Sequence, residues 1–180
     1  TEHGGMNEVL ANLHAVTGDP EHLRLARAFD HDFLFEPLAR REDALDGLHA
    51  NTQIPKVIGA AREYELTGDA RYRDIATFFW ERVAKHRSYA NGGHSDGESF
   101  FPIDRFSRHL GASSSETCNT YNMLKLSRHL FQWAPSADVM AAPVGDRDGR
   151  RSAACLGRLR GAASRAARGG AAIGGARGVD

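Results

Sequence analysis

The stretch Thr17-Gly18-Asp19 returns at an offset of fifty residues as Thr67-Gly68-Asp69, and this repeat decides the fold. After both turns the same kinds of residue recur at that offset. They pair His22 with Tyr72, Leu25 with Ile75, Ala26 with Ala76 and Phe29 with Phe79. A repeat of this length is typical of helical hairpin arrays, in which each hairpin buries its apolar side against its neighbours. The sequence therefore predicts an all-α protein built of antiparallel helical hairpins.

Capping signals and apolar spacing place five helices on this repeat. In each turn the glycine suits a left-handed helix end and the following aspartate suits the next helix start. We expect helices over about residues 3–16, 20–35, 52–67, 70–83 and 115–133. Residues 36–47 form a charged connection, and residues 86–114 form a long irregular loop that is rich in glycine and aromatic residues. Five helices make an open arc, so we expect further helices or other subunits to complete it.

The composition is that of one ordinary globular domain. Apolar residues make up 41% of the chain and charged residues 26%. No run is long and apolar enough to span a membrane, so no membrane partner is predicted. Cys118 and Cys155 are too few for a disulfide framework. Unpaired cysteines favour a cytoplasmic location over export, without assigning the compartment.

The last forty residues differ sharply from the rest. Residues 141–180 carry eight Arg and three Asp, have no aromatic residue and consist mostly of Ala, Gly and Arg. Such a segment cannot bury enough apolar surface to fold, so residues 140–180 are predicted to be a disordered tail. It could be a basic arm for nucleic acid, or the product of DNA translated out of frame after about Met140. The abrupt change favours the second interpretation, and the missing aromatic residues make nucleic acid an unlikely partner.

Polar residues gather where the predicted helices start. Three clusters, within residues 3–8, 48–56 and 116–122, open the first, third and fifth helices, and a fourth, residues 91–100, leads towards the fifth. In an alternating hairpin array the odd-numbered helices start at the same end. The four clusters are therefore predicted to converge on one rim, which is where helical arrays usually carry their function.

Five side chains on that rim could carry chemistry, and each also has a structural interpretation. His3 and His49 could simply make hydrogen bonds at helix starts, and Glu98 could be a solvated loop carboxylate. Glu116 fits a capping box, and Cys118 could be a small buried residue. Glu116 and Cys118 could share a ligand only if Glu116 lies at the capping end of its helix.

Taken together, these side chains suit glycoside hydrolysis. A pair of carboxylates, Glu98 and Glu116, can supply the proton for a leaving oxygen while histidines bind hydroxyl groups. Glu, Cys and His are also zinc ligands, but three or four must converge to hold the ion.

Three longer strings resemble the glycoside hydrolase family 127 group, the β-L-arabinofuranosidase-like proteins also called DUF1680. They are Gly47-Leu48-His49-Ala50-Asn51-Thr52-Gln53-Ile54-Pro55-Lys56, Gly92-Gly93-His94-Ser95-Asp96-Gly97-Glu98 and Glu116-Thr117-Cys118-Asn119-Thr120-Tyr121-Asn122-Met123-Leu124-Lys125. Residues 2–8 fit the same group, and the resemblance covers about residues 1–139. It implies a catalytic domain that is an (α/α)6 toroid, of which this chain would be a part.

The resemblance also implies roles for the five side chains. Members of the group are retaining enzymes with a cysteine nucleophile held on a zinc ion, acting on β-linked arabinofuranosyl glycans. By resemblance, Glu116 and Cys118 match zinc ligands and Glu98 matches the general acid/base. His3 and His49 match histidines that line the sugar pocket.

The chain departs from that pattern downstream. The second pair of cysteines, which includes the nucleophile, has no counterpart, because the surroundings of Cys155 do not resemble that segment. We therefore expect a fragment of a glycoside hydrolase that is inactive by itself and does not bind zinc stably. The alternative is a non-catalytic helical module that binds a glycan or a protein. Self-association through the open helical edges is a further expectation.

Overall fold

The part of the chain that the structure describes is helical. The computed structural model describes residues 3–103, 105–136 and 139, which belong to one compact unit within residues 1–145. Its elements are α1 (Met6–Thr17), α2 (Pro20–Ala28), α3 (Asp32–Ala39), α4 (Ala50–Thr67), α5 (Ala70–Ala84), a 3₁₀ turn (Phe106–Arg108) and α6 (Thr117–Trp133). The prediction of a disordered tail from residue 140 and the comparison of Cys155 lie outside the described residues.

The two repeated turns have the predicted conformation. Gly18 and Gly68 end α1 and α4 with φ of 73° and 72°, in the left-handed region that glycine enters at little cost. Asp19 and Asp69 then cap α2 and α5, and each side chain accepts from the backbone N–H two residues later at 2.9 Å. The predicted array of helical hairpins is therefore confirmed, and it forms part of an (α/α)6 toroid.

The predicted second helix is wrong in one respect, because the chain leaves the helix after Ala28 and begins a new one at Asp32. Asp30 accepts a hydrogen bond from the Tyr72 hydroxyl at 2.6 Å, and His31 lies beside Lys56. These tertiary contacts override a helical pattern that continues on both sides of the break. The array consequently has six α-helices within the described residues instead of five, and the charged connection starts after α3.

Helix α4 is the centre of the packing. It contacts α1, α5 and α6, while α2 packs on α1 and α3 packs on α5. Gly59 brings α1 close, since a Cβ there would lie 2.2 Å from the Asn7 side chain, whose Nδ2 donates to the Lys56 carbonyl at 2.9 Å. The predicted apolar face of α5 is buried throughout, at Tyr72, Ile75, Ala76, Phe79 and Val83.

Helices α1 and α6 are the two edges of the array. The α1 edge exposes a row of large apolar side chains, which are Met6, Val9, Leu13 and Val16, and the α6 edge exposes Tyr121 and Leu124. Their spacing of three or four residues puts each row on one helical face. Among the described residues no helix combines the length and apolar character that crossing a membrane requires.

A buried arginine fastens the long loop between α5 and α6 to the rest of the unit. Arg87 is almost completely buried, and its guanidinium donates to both carboxylate oxygens of Asp43 and to Asp46. Its Nε donates to the Phe101 carbonyl at 2.9 Å. Because burying an arginine is costly unless all its donors are paired, this network holds the loop against the connection that precedes α4.

Candidate active site

His49 occupies the start of α4 and uses both ring nitrogens. As the residue before the first helical turn, its Nδ1 accepts from the Thr52 N–H at 3.2 Å. Its Nε2 lies 3.0 Å from Glu98 Oε2. Because a backbone N–H can only donate, Nδ1 must be the acceptor and Nε2 carries the hydrogen. His49 is therefore both a helix cap and a hydrogen-bond donor to Glu98.

Glu98 sits in a tight two-residue turn with an unfavourable backbone conformation. Asp96 and Ser99 exchange both backbone hydrogen bonds, at 3.0 and 3.1 Å, and the two residues between them, Gly97 and Glu98, have φ of 52° and 65°. Positive φ at both central positions is the signature of a type I′ turn, which costs a residue other than glycine about 1 kcal/mol. The Glu98 carbonyl also accepts from the Ala50 N–H at 2.8 Å, which ties this turn to the start of α4.

Glu116 precedes α6 in an extended conformation, with φ of −80° and ψ of 134°, and its side chain makes no capping hydrogen bond. The capping-box interpretation is therefore wrong. The carboxylate instead turns towards Cys118, whose thiol donates to Oε1, while Oε2 is buried without a hydrogen-bond partner. Burial and this carboxylate raise the pKa of the Cys118 thiol. Glu116 thus lies at the capping end, where it can share a ligand with Cys118.

The segments that carry Glu98 and Glu116 interlock. Gly93 lies directly against Ser115, so that an added Cβ would be 2.0 Å from Ser115 Oγ. The Ser115 N–H donates to the Ser95 carbonyl at 3.1 Å, and Asn119 Nδ2 donates to Ser95 Oγ at 2.8 Å. These contacts fix the start of α6 against the Glu98 turn.

A pocket of about 460 Å³ opens between these segments. It is lined by Gly97, Glu98, Ala112, Ser113, Ser114, Ser115 and Glu116. The predicted clusters at residues 91–100 and 116–122 therefore both contribute to one pocket. His49 does not line it but contacts Glu98, which does. Asn122 Nδ2 also donates to Asn51 Oδ1 at 2.7 Å, which joins the starts of α4 and α6. The structure thus brings together His49, Glu98, Glu116 and Cys118.

His3 lies elsewhere on the same side. Its ring contacts those of Phe29 and His31, with centroids 5.9 and 5.4 Å apart, and none of its described contacts is with His49 or Glu98. Its Nδ1 is buried without a hydrogen-bond partner, and burial together with the nearby Lys56 lowers the pKa of the ring. His3 does not join the Glu98 pocket directly.

Sequence analysis did not identify several other polar residues around the site. His109 Nδ1 lies 2.9 Å from Asp96 Oδ2, and its ring stacks on Phe101 with centroids 4.9 Å apart. This pair braces the turn that carries Glu98. His94 is almost fully buried, and burial lowers its pKa to about 4. His94 and Asp96 lie within the motif at residues 92–98, and that position was the signal that could have identified them as site residues. His109 lies in a stretch that has no recognisable pattern.

Glu116 and Cys118 could supply part of a zinc site. Glu116 and Cys118 offer two adjacent donors, and the unpartnered Glu116 oxygen is free to bind an ion. Among the described residues, no group of three His, Cys, Asp or Glu side chains is placed to hold a metal. A closed zinc site needs four ligands, so these residues fit half of one.

A partial helical toroid with two carboxylates at one rim is compatible with part of a glycoside hydrolase catalytic domain. The family model for β-L-arabinofuranosidase, GH127 catalytic domain, matches residues 1–142. The chain therefore belongs to the GH127 family.

A solved structure described as a GH127 β-arabinofuranosidase is similar in fold. Its TM-score is 0.65 at 20% sequence identity, over 77% of this chain and 23% of that chain. The chain thus spans about a quarter of the length of that relative. No curated protein sequence matches the present chain.

Proposed function

We propose that this chain forms the acid/base and metal-binding rim of an enzyme that removes β-linked L-arabinofuranosyl groups from glycans. The observation that carries the proposal is the shared pocket of Glu98 and Glu116, with His49 donating to one carboxylate and Cys118 to the other. Family membership supports the reaction class, and the β-L-arabinofuranosidase activity for which the family is named supports the sugar.

In this proposal Glu98 moves the proton. Its side chain is 60% exposed and so remains within reach of a bound sugar. In protonated form it gives its proton to the leaving oxygen, and as a carboxylate it then takes a proton from the attacking water. His49 donates from Nε2 to Glu98 and so holds the Glu98 side chain in place.

Glu116 and Cys118 are the proposed zinc ligands. The bound ion would keep a cysteine ligand in its thiolate form. The extended backbone of Glu116 aims the carboxylate at the thiol, and its buried second oxygen has no other hydrogen-bond partner. The family's remaining ligands and its nucleophile have no counterpart among the described residues, so we expect no hydrolysis by the 180-residue chain alone and no stable zinc binding.

Binding of a single sugar tests the site without requiring turnover. Titration of the chain with methyl β-L-arabinofuranoside, followed by NMR, should show saturable binding that weakens at least tenfold in His49→Ala. His22→Ala is the matched control, because His22 lies at the opposite end of the array beside Thr17. Equal loss in both variants, or no binding, would refute the site. Release of an aryl group from an aryl β-L-arabinofuranoside by the chain would contradict its expected inactivity.

A non-catalytic binding module is the second candidate. A groove of about 360 Å³ runs between α1, α4 and α6, lined by Glu8, Asn12, Arg62, Glu65, Lys125, Arg128, His129 and Gln132. Glycan binding that persists when Glu98 and Glu116 are both replaced by Gln would favour this groove. The exposed apolar edges of α1 and α6 also suit self-association, which light scattering at increasing concentration measures.

A further inference from the structure

The groove between α1, α4 and α6 has an excess of positive charge and shares no lining residue with the candidate active site. Helices α1 and α6 both pack on α4, and side chains from all three helices line a cavity of about 360 Å³. Three of these residues, Arg62, Lys125 and Arg128, are cationic, whereas two, Glu8 and Glu65, are carboxylates. The excess of cations favours a negatively charged ligand.

Glu65 is fully engaged inside the groove. Its Oε2 accepts from Arg62 Nη1 at 2.9 Å. Its Oε1 accepts from Trp133 Nε1 at 3.2 Å and lies 2.7 Å from His129 Nδ1. These hydrogen bonds, led by the one from His129, outweigh burial and lower the pKa of Glu65 to about 2. The carboxylate therefore stays ionised at neutral pH and keeps its donors in place.

The guanidinium of Arg62 is held so that one of its donor groups remains available. Its Nε donates to Asn12 Oδ1 at 2.8 Å, while Nη1 donates to Glu65. Its Nη2 makes no hydrogen bond within the described part of the chain. Because a guanidinium is planar and rigid, two fixed donors also fix the direction of the third. Arg62 therefore presents preorganised N–H groups.

Arg128 supplies a second guanidinium to the same groove. It is exposed, and it pairs with no carboxylate among the described residues. The third cation, Lys125, is already engaged, since its Nζ donates to Glu8 Oε2 at 3.0 Å. Guanidinium groups bind carboxylate and phosphate oxygens through paired N–H donors. Arg62 and Arg128 thus offer such donors within one cavity.

We propose that this groove binds a small oxyanion, the carboxylate or phosphate group of a small molecule, between Arg62 and Arg128. Gln132 lies one helical turn after Arg128 on α6 and also lines the groove, where its amide can donate a further hydrogen bond. The site requires neither hydrolysis nor sugar binding at Glu98, so it stands or falls separately from the function proposed above.

The two tryptophans of the chain provide a direct measurement of binding in the groove. Trp133 Nε1 donates to Glu65, whereas Trp80 Nε1 donates to the buried Ser127 Oγ at 2.8 Å. Titration of the whole chain with inorganic phosphate, and separately with acetate, should shift the indole N–H resonance of Trp133 saturably in NMR spectra and leave that of Trp80 unchanged. Sodium chloride at the same ionic strength should shift neither. Saturation by either oxyanion supports the site, and the tighter of the two identifies the group that it prefers.

Arg128→Gln should weaken binding of the tighter oxyanion about tenfold, as expected for loss of a hydrogen bond to a charged group. Arg105→Gln is the matched control, because Arg105 is exposed in the loop between α5 and α6 and does not line the groove. Equal weakening in the two variants would reduce the effect to net charge and overturn the proposal.

Two further results would also overturn it, which are no saturable shift with either oxyanion and an equal shift with chloride. Binding of methyl β-L-arabinofuranoside should be the same in Arg128→Gln as in the unsubstituted chain, so the groove and the Glu98 site are tested separately. Circular dichroism checks that each variant is folded.

Discussion

The two ends of the helical array differ in the contacts that their helix-capping residues make. At the end formed by the repeated turns, each cap satisfies the backbone: Gly18 and Gly68 take the left-handed conformation, and Asp19 and Asp69 accept backbone N–H groups. At the end that carries the pocket, His49 caps α4 but also donates to Glu98, and Glu116 leaves the start of α6 without a side-chain cap and turns towards Cys118. Capping side chains at the first end contact only the backbone of their own helix, whereas His49 and Glu116 at the second end also contact other side chains.

Backbone strain follows the same division. Within the described residues, three residues other than glycine have positive φ, and two of them, Glu98 and Ser115, line the pocket. The third, Arg41, follows α3. At the opposite end the positive φ values fall on glycines. Strained residues persist only where surrounding contacts hold them, and they concentrate at functional sites. Substitutions of capping or strained residues should therefore change stability and sugar binding differently at the two ends.

The largest effect is expected from Gly93→Ala at the pocket end. The new Cβ would meet the Ser115 side chain at 2.0 Å and its Cα at 2.8 Å, so the backbone before Glu116 must move. We expect a loss of about 3 kcal/mol in the free energy of unfolding, measured by urea denaturation, together with loss of sugar binding. Gly111→Ala is the control, because nothing lies within 4 Å of its Cβ position. Equal losses in the two variants would show that Gly93 and Ser115 are not in close contact.

The second prediction concerns a buried carboxyl group in α4 that makes the free energy of unfolding depend on pH. Glu63 on α4 is fully buried, and Arg27 Nε lies 3.9 Å from its Oε2. Burial and the Asp30 carboxylate raise the pKa of Glu63 to about 8. The protonated form is thus favoured by folding. This stabilisation is complete below the unfolded pKa of about 4.5 and disappears as pH rises through about 8.

Glu63→Gln should remove that dependence. The variant is expected to gain about 2 kcal/mol at pH 8 and to unfold at nearly constant denaturant concentration between pH 5 and 8. Glu65→Gln gives the opposite sign, because hydrogen bonds led by the one from His129 outweigh burial and lower the Glu65 pKa to about 2. Its contribution is present above pH 4.5, so that variant should lose stability at neutral pH. Parallel pH profiles for the two variants would contradict this assignment.

The third prediction compares helix caps at the two ends. Asp69→Ala should cost about 1 kcal/mol, because it removes the acceptor for the Arg71 N–H, and Asp19→Ala should cost a similar amount. Glu116→Ala should leave the stability nearly unchanged, since Glu116 makes no capping hydrogen bond. Thermal unfolding of the three variants measures the difference. A cost for Glu116→Ala as large as that for Asp69→Ala would contradict the division between the ends.

Sequence alone was sufficient for the stabilising end and only partly sufficient for the pocket end. Glycine and aspartate act through local backbone preferences, so the repeated turns and the apolar face of α5 could be predicted residue by residue. The break after Ala28 could not, because Asp30 leaves the helix for a contact with Tyr72, 42 residues away. Tertiary contacts of that kind have no local signature.

The candidate site shows the same limit. Helix starts at one end of the array predicted that His49 and Glu116 would lie on the same rim. Neither the type I′ turn at Glu98 nor the position of His3 beside His31 could be predicted, since a glutamate rarely takes positive φ and the break before α3 was missed. The sequence therefore indicated which segments meet, but not which side chains touch.

The smallest expected effect tests whether strain at Glu98 is real. Glu98→Gly relieves a left-handed conformation worth about 1 kcal/mol but loses the exposed contact with His49, which is worth less. The net gain should be about 0.5 kcal/mol in the free energy of unfolding, with sugar binding lost. Glu98→Gln keeps the conformation, so it should show no gain. If the glycine variant is instead less stable than the glutamine variant, the turn is not strained, and the proposed contrast between the two ends of the array fails at its most specific point.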